Sequence, residues 1–251
     1  MRSNNPFKAH GINYLSPSSI NTYINDTSLW VARYLFGVKS PSGPSAVRGI
    51  AQEFVLANKY EKGVFDFNLL DVKFMSLCAE SGIDLGDIKT AKEKKLLKDF
   101  GNVIDANFNY KNLEEYQEKV EVQFDEIEDM PVPVMGYIDF RFKGKIVDLK
   151  TSTRMPSKPT EAQKRQMALY SMAYPDNSVD LFFATPKEHK KFTLKNLSVH
   201  KKQLKKVALS IQKFLSISDD KHELASLVYP NLDSWFWFGM KEEANKIWSI
   251  K

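Results

Sequence analysis

The chain is predicted to be an α/β protein with a mixed central β-sheet flanked by helices and a helical segment before the core strands. Three observations predict it. A two-residue turn signal, Lys143-Gly144, separates two runs rich in β-branched and aromatic residues. Apolar positions recur at helical spacing over long stretches before and after that hairpin. The order of segments is helices, hairpin, helix, strand, helix, with no repeat and no long linker.

Taken along the chain, Ser16 as cap and Pro17 in the first turn open a helix over 17–35. A second helix covers 45–60. Residues 61–118 are expected to form a helical insertion, including a Lys-rich helix over 90–107. Strands are expected at 119–127, 134–142 and 145–151, a helix at 160–173, strands at 179–185 and 191–194, and a helix at 199–216. The whole of 1–251 reads as one domain, with 119–217 as its core and 218–251 as an aromatic C-terminal segment.

The hairpin carries the chemistry. Counting outward from Lys143-Gly144 pairs Phe142 with Lys145, Phe140 with Val147, and Asp139 with Asp148. Like charges placed opposite each other weaken a sheet unless a cation joins them, and Mg²⁺ or Mn²⁺ suits two carboxylates. Alternation sets Asp148 and Lys150 on one face while Val147 and Leu149 point to a core. Two acids and one base on one face suit phosphodiester hydrolysis: the acids hold a hard ion, and the ammonium positions water or stabilises charge on the phosphate. An isolated D-x-K is far more often a solvated hairpin, so the context decides.

Four ordered segments supply that context. Leu15-Ser16-Pro17-Ser18-Ser19-Ile20 with Tyr23, Gly136-Tyr137-Ile138-Asp139, Ile146-Val147-Asp148-Leu149-Lys150-Thr151-Ser152 and Gln166-Met167-Ala168-Leu169-Tyr170 together resemble the RecB-like branch of the PD-(D/E)XK nucleases. The resemblance implies a restriction-endonuclease-like core. It implies that Asp139 and Asp148 bind metal, that Lys150 is catalytic, and that Gln166 and Tyr170 sit beside the site; the Leu149 carbonyl is a further candidate metal ligand.

One position departs from the pattern. That branch usually has a histidine four residues after a glycine in the early helix, and counting from Gly49 this chain has Glu53. Ala46, Ile50, Glu53, Phe54 and Ala57 share a helical stripe, which predicts an acid embedded in an apolar face and makes Glu53 the candidate third metal ligand. A slightly rotated helix would instead leave Glu53 at the rim, with Gln52 as the polar contact. Some relatives carry an iron–sulfur cluster, but the single cysteine, Cys78, cannot supply four thiolates. Cys78 also excludes an internal disulfide and is expected to be a small buried residue.

The net charge of +5 is unevenly spread. Residues 111–133 hold eight acids against two lysines, whereas 141–213 hold seventeen Lys and Arg against five acids. Such a face suits a polyanion. Thr151, Ser152, Arg154, Lys158, Lys164 and Arg165 follow the catalytic strand and are the expected nucleic-acid contacts. The lysines from Lys187 to Lys206 serve equally well as a solubilising face. His10, His189, His200 and His222 show no ligand spacing. The aromatics Trp235, Phe236, Trp237, Phe238 and Trp248 are expected chiefly to close a core. No stretch is long and apolar enough to span a membrane, and the first ten residues lack a signal-peptide core, so the cytosol is the expected location, host cytoplasm for a viral protein.

These features point to a Mg²⁺-dependent deoxyribonuclease acting on DNA in recombination, repair or genome processing. The exonuclease preference, and with it a phage recombination nuclease as a candidate, is implied by the resemblance alone. A structure- or sequence-specific endonuclease and a non-catalytic DNA-binding protein stay open. Without a P-loop the chain does not unwind DNA, which leaves a helicase, a recombinase or a single-strand-binding protein as candidate partners and a homo-oligomer as a candidate assembly.

Overall fold

The computed structural model describes residues 5–124 and 130–250. Helices come first: α1 (Pro6–Ala9), α2 (Pro17–Asn25), α3 (Thr27–Tyr34), α4 (Pro44–Lys62), α5 (Phe67–Glu80) and α6 (Ile88–Asn107). Strands β1 (Leu113–Val122), β2 (Val134–Phe142) and β3 (Lys145–Thr151) follow, then α7 (Glu161–Ala173), β4 (Ser178–Ala184), β5 (His189–Leu194) and α8 (Ser198–Leu215). The chain closes with α9 (Lys221–Ser226), a 3₁₀ turn at Trp235–Trp237 and α10 (Lys241–Trp248).

The five strands pair in the order β1-β2-β3-β4-β5. Only β3 and β4 run parallel, joined by α7, so the sheet is mixed as expected. Helices cover both faces. On one, Ile146, Leu181 and Phe183 pack with residues of α2, α3, α7 and α8. On the other, Val147, Leu149 and Phe182 pack with α4, α5 and α6, and Cys78 is buried there as a small apolar residue.

Local chemistry explains the boundaries. Ser16 accepts from Ser19 N and returns the favour through the Ser19 hydroxyl, a capping box that starts α2. The helix expected over 17–35 is broken in two at Asp26. Its carboxylate accepts from the Leu29 amide at 2.9 Å and its backbone is extended, so the same residue ends α2 and caps α3. Strand β1 begins at Leu113, six residues before the expected start, and so takes the end of the segment expected to be helical. It lies at the sheet edge, where Glu114 and Glu118 both pair with Arg141 of β2; charged edges hide the strand period. The last residues of the expected strand, 125–127, lie outside the described residues. At the C-terminal end the aromatics divide: Trp237 is buried against Leu29 and Ala32, while Trp235 and Phe238 are exposed. Among the described residues no helix is long and apolar enough to cross a membrane.

Candidate active site

The hairpin has the expected register, Phe142 with Lys145, Arg141 with Ile146 and Phe140 with Val147, but the ladder stops there. Where Asp139 and Asp148 would pair, the Asp139 side chain takes over: its Oδ2 accepts from the Leu149 backbone N–H at 3.1 Å. The carboxylate thus replaces a strand-to-strand bond and is fixed against β3. Asp139 is 7% exposed and Asp148 is fully buried.

A local irregularity accounts for the way β2 delivers Asp139. Val134 and Ile138 pack on the α7 side of the sheet, whereas Phe140 and Phe142, of the same parity, pack on the α4 side. Alternation therefore inverts at Asp139. Its neighbour across β1 is Gln117, bracketed by the pairs Tyr116–Phe140 and Glu118–Ile138. Gln117 has a left-handed φ of 51°, a conformation that costs a non-glycine residue about 1–2 kcal/mol. Its amide Nε2 lies 3.4 Å from both Asp139 Oδ1 and Glu53 Oε2. Those two carboxylate oxygens are therefore no further apart than twice that distance.

Lys150 meets Asp148 Oδ2 at 2.6 Å. Apart from that ammonium, neither oxygen of Asp148 has a hydrogen-bond partner among the described residues, an unusual state for a fully buried carboxylate. Burial and the neighbouring Asp148 raise the Asp139 carboxyl well above the usual carboxylate range, against the pull of Lys150. Burial pushes Glu53 up to about 7, opposed by Lys150 and reinforced by Asp148. Burial also works against the Lys150 charge, but Asp148, Asp139 and Glu53 outweigh it and hold the ammonium above the ordinary lysine value.

Glu53 reaches this group from a helix rotated relative to expectation. The buried residues of α4 are Val47, Arg48, Ala51, Gln52, Val55, Leu56 and Ala57; of the expected stripe Ala57 is buried, while Ala46 and Ile50 are exposed. Gln52 is the fully buried polar residue and donates to the Leu97 carbonyl at 2.8 Å. Glu53 therefore stands at the rim of the stripe and faces the hairpin from there. Among the described residues no three acidic, histidine or cysteine side chains are gathered closely enough to hold a metal ion.

On the far side, Gln166 Nε2 donates to the Tyr170 hydroxyl at 2.9 Å, and Tyr170 in turn donates to the backbone carbonyl of Tyr137, two residues before Asp139. The pair ties α7 to β2 at the shoulder of the carboxylates. Burial, with Asp148 and Asp139 nearby, raises the Tyr170 pKa, so the phenol stays a neutral donor.

The expected nucleic-acid contacts scatter more. Arg154 and Lys158 are exposed on the segment after β3, and Lys164 is ion-paired with Glu161 on the surface of α7. Thr151 and Ser152 continue directly from Lys150, but Thr151 Oγ1 accepts from the buried Arg48 at 3.3 Å. Arg165 departs from expectation. It is buried, donating to Asn21 at 2.6 Å and Gln203 at 3.2 Å, so it braces α7 against α2 and α8 instead of facing a phosphate. Gln117 was not legible as a site residue, because a lone glutamine on a charged edge strand carries no signal; only its backbone conformation marks it.

The donor set is oxygen-only and includes a buried carboxylate whose one hydrogen-bond donor among the described residues is Lys150, which fits a hard divalent cation. Two carboxylates suffice for such an ion, which keeps several waters. The family model of the PD-(D/E)XK nuclease superfamily matches residues 14–236. No curated protein matches the chain. Among solved structures, the crystal structure of SSO0001 is similar with a TM-score of 0.32 and 14% identity over 74% of this chain and 85% of that one, a likeness too slight to bear on the site.

Proposed function

From the premise that the chain belongs to the PD-(D/E)XK nuclease superfamily, we propose that it is a Mg²⁺- or Mn²⁺-dependent deoxyribonuclease that degrades DNA from ends in recombination, repair or genome processing. Superfamily membership makes it a nuclease and so a hydrolase; the metal, the DNA substrate and the end requirement are the further steps of this reading. One observation carries the assignment of the site: among the described residues Asp148 is fully buried and its carboxylate meets no hydrogen-bond donor other than the Lys150 ammonium at 2.6 Å.

Asp139 and Asp148 would hold the ion, with Glu53 and the Leu149 carbonyl completing the set. When bound, the ion supplies Lewis acidity toward a phosphate oxygen and lowers the pKa of water. The protein does the rest. Leu149 N–H fixes Asp139 through one oxygen, and the other meets only the Gln117 amide at 3.4 Å among the described residues. Lys150, kept charged by three carboxylates, donates to the attacking water or to the non-bridging oxygens as charge gathers on them. Tyr170 and Gln166 hold β2 in place behind Asp139. Arg154, Lys158 and Lys164 would meet flanking phosphates, which position the strand without reading sequence. The preference for ends over internal sites rests on the RecB-like resemblance.

The test is digestion of end-labelled linear DNA and covalently closed circles in Mg²⁺, with Asp148→Ala and Lys150→Ala alongside. Loss of linear DNA only, abolished in both variants, is the expected result. Cutting of circles would make it an endonuclease. DNA binding without cleavage by the wild type would leave a non-catalytic DNA-binding protein.

A further inference from the structure

We propose that Gln117 is a positioning residue of the metal site: its side-chain amide turns Glu53 toward Asp139 before any ion is bound and so raises the affinity for the ion. This deepens the nuclease reading above and rests on it.

Gln117 is exposed on the edge strand β1 and faces Asp139 between the pairs Tyr116–Phe140 and Glu118–Ile138. Its left-handed φ of 51° favours glycine or asparagine over a longer side chain, yet the chain carries glutamine there. Glu114 and Glu118 of the same strand reach β2 through ion pairs with Arg141, whereas Gln117 reaches it through a neutral amide. A strained backbone that carries an uncharged side chain into a group of carboxylates points to a role among them.

The contacts define that role. Glu53 stands at the rim of the α4 stripe, and among the described residues its one hydrogen bond is the 3.4 Å contact of its Oε2 with Gln117 Nε2. The same nitrogen lies 3.4 Å from Asp139 Oδ1, while Leu149 N–H holds the other Asp139 oxygen at 3.1 Å. One NH₂ group carries two hydrogens, one for each carboxylate. An acid of α4 and an acid of β2, which repel each other when charged, are thus joined by a shared donor from a third element. A neutral donor suits the task better than a cation. Lysine or arginine at this point would neutralise the carboxylates and compete with the ion for them, whereas the amide orients them and leaves their charge in place. At 3.4 Å both bonds are at the long, weak end of the hydrogen-bond range, so they restrain Glu53 without withholding it from an ion. A glutamate loses rotamer freedom when it becomes a ligand, and a restraint already present removes part of that loss.

The experiment measures binding of Mn²⁺ alone to the full chain, read from the electron paramagnetic resonance signal of the free ion, for wild type, Gln117→Met, Glu53→Ala and the double variant. Methionine keeps the side-chain length and the backbone strain and removes the amide. Gln117 is exposed, so its variant is expected to fold, with circular dichroism as the check on all three. Gln117→Met is expected to raise the dissociation constant about fivefold, the worth of one side chain's rotamer freedom, and to have no further effect once Glu53 is replaced. An unchanged dissociation constant in Gln117→Met overturns the proposal. So does an equal loss in both backgrounds, which is what a purely structural role gives. Wild-type affinity in Glu53→Ala overturns it as well, because Glu53 is then no ligand, and leaves Asp139, Asp148 and the nuclease reading standing. A wild type that binds no Mn²⁺ overturns the metal-dependent reading itself and this inference with it.

Discussion

Replacing Lys150 by Met should destabilise the metal-free protein by about 3 kcal/mol and make its melting temperature depend on Mg²⁺. The site places three acids, Glu53, Asp139 and Asp148, around one base whose side chain is itself only 28% exposed. Removing one partner of a buried ion pair typically costs about 3–5 kcal/mol because the survivor is left uncompensated. The lower end applies here, since burial raises the proton affinity of Asp139 and Glu53, which can take up a proton and absorb part of the loss. For a chain of this size each kcal/mol moves the melting temperature by about 2–4 °C, so the shift is about 6–12 °C. Mg²⁺ should restore most of it, because an ion at a hundredfold excess over its dissociation constant contributes about 2.7 kcal/mol. Asp148→Asn should behave in the opposite manner. It relieves the repulsion at Asp139 and leaves Lys150 with two acids, so the apo protein should lose less stability than the Lys150 variant does, while its response to Mg²⁺ disappears. Scanning calorimetry in chelator and across a magnesium titration reads both. If the Lys150 variant melts with the wild type in chelator, or if Asp148→Asn keeps the full magnesium shift, the buried charge cluster does not work as described.

Two further outcomes follow from particular residues. Gln117→Gly should be about 0.5–1 kcal/mol more stable than Gln117→Ala, because both lose the same amide but only glycine relieves the left-handed backbone; equal urea midpoints would show that the φ of 51° stores no strain. Burial pushes the Tyr60 phenol up to about 12, against the Tyr110 carbonyl that accepts from it, and Tyr110 is raised by burial and by Asp180. The native state holds these protons while the unfolded chain loses them from about pH 10, so stability is intact below pH 10 and falls as pH rises toward 12. Tyrosinate absorbance and circular dichroism should change together over that window, and ionisation of these buried phenols at pH 10 in an intact fold would contradict the packing.

The sequence made the hairpin, its turn and the Asp139, Asp148 and Lys150 set legible because each depends on local rules: a two-residue turn fixes register, and period two fixes faces. The same rules explain the misses. Period two assumes an unbroken ladder, but the ladder ends before Asp139, and the carboxylate reaches Leu149 N–H through its side chain instead of standing opposite Asp148. Helical period placed Glu53 on the buried stripe, yet the stripe of α4 is set by what lies across from it: Arg48 stacks over Phe100 at 4.1 Å and pairs with Glu93, which pulls that side inward and leaves Glu53 at the rim. Arg165 shows the limit of charge counting, since an arginine beside a basic run is as able to brace three helices as to meet a phosphate, and its partners Asn21 and Gln203 are remote in sequence. Gln117 is the reverse case, a residue with no pattern that acquires a place in the site because its strand inverts there. Where long-range packing decides orientation, sequence period identifies the element and the residue type, and the neighbour across the core decides which way the side chain points.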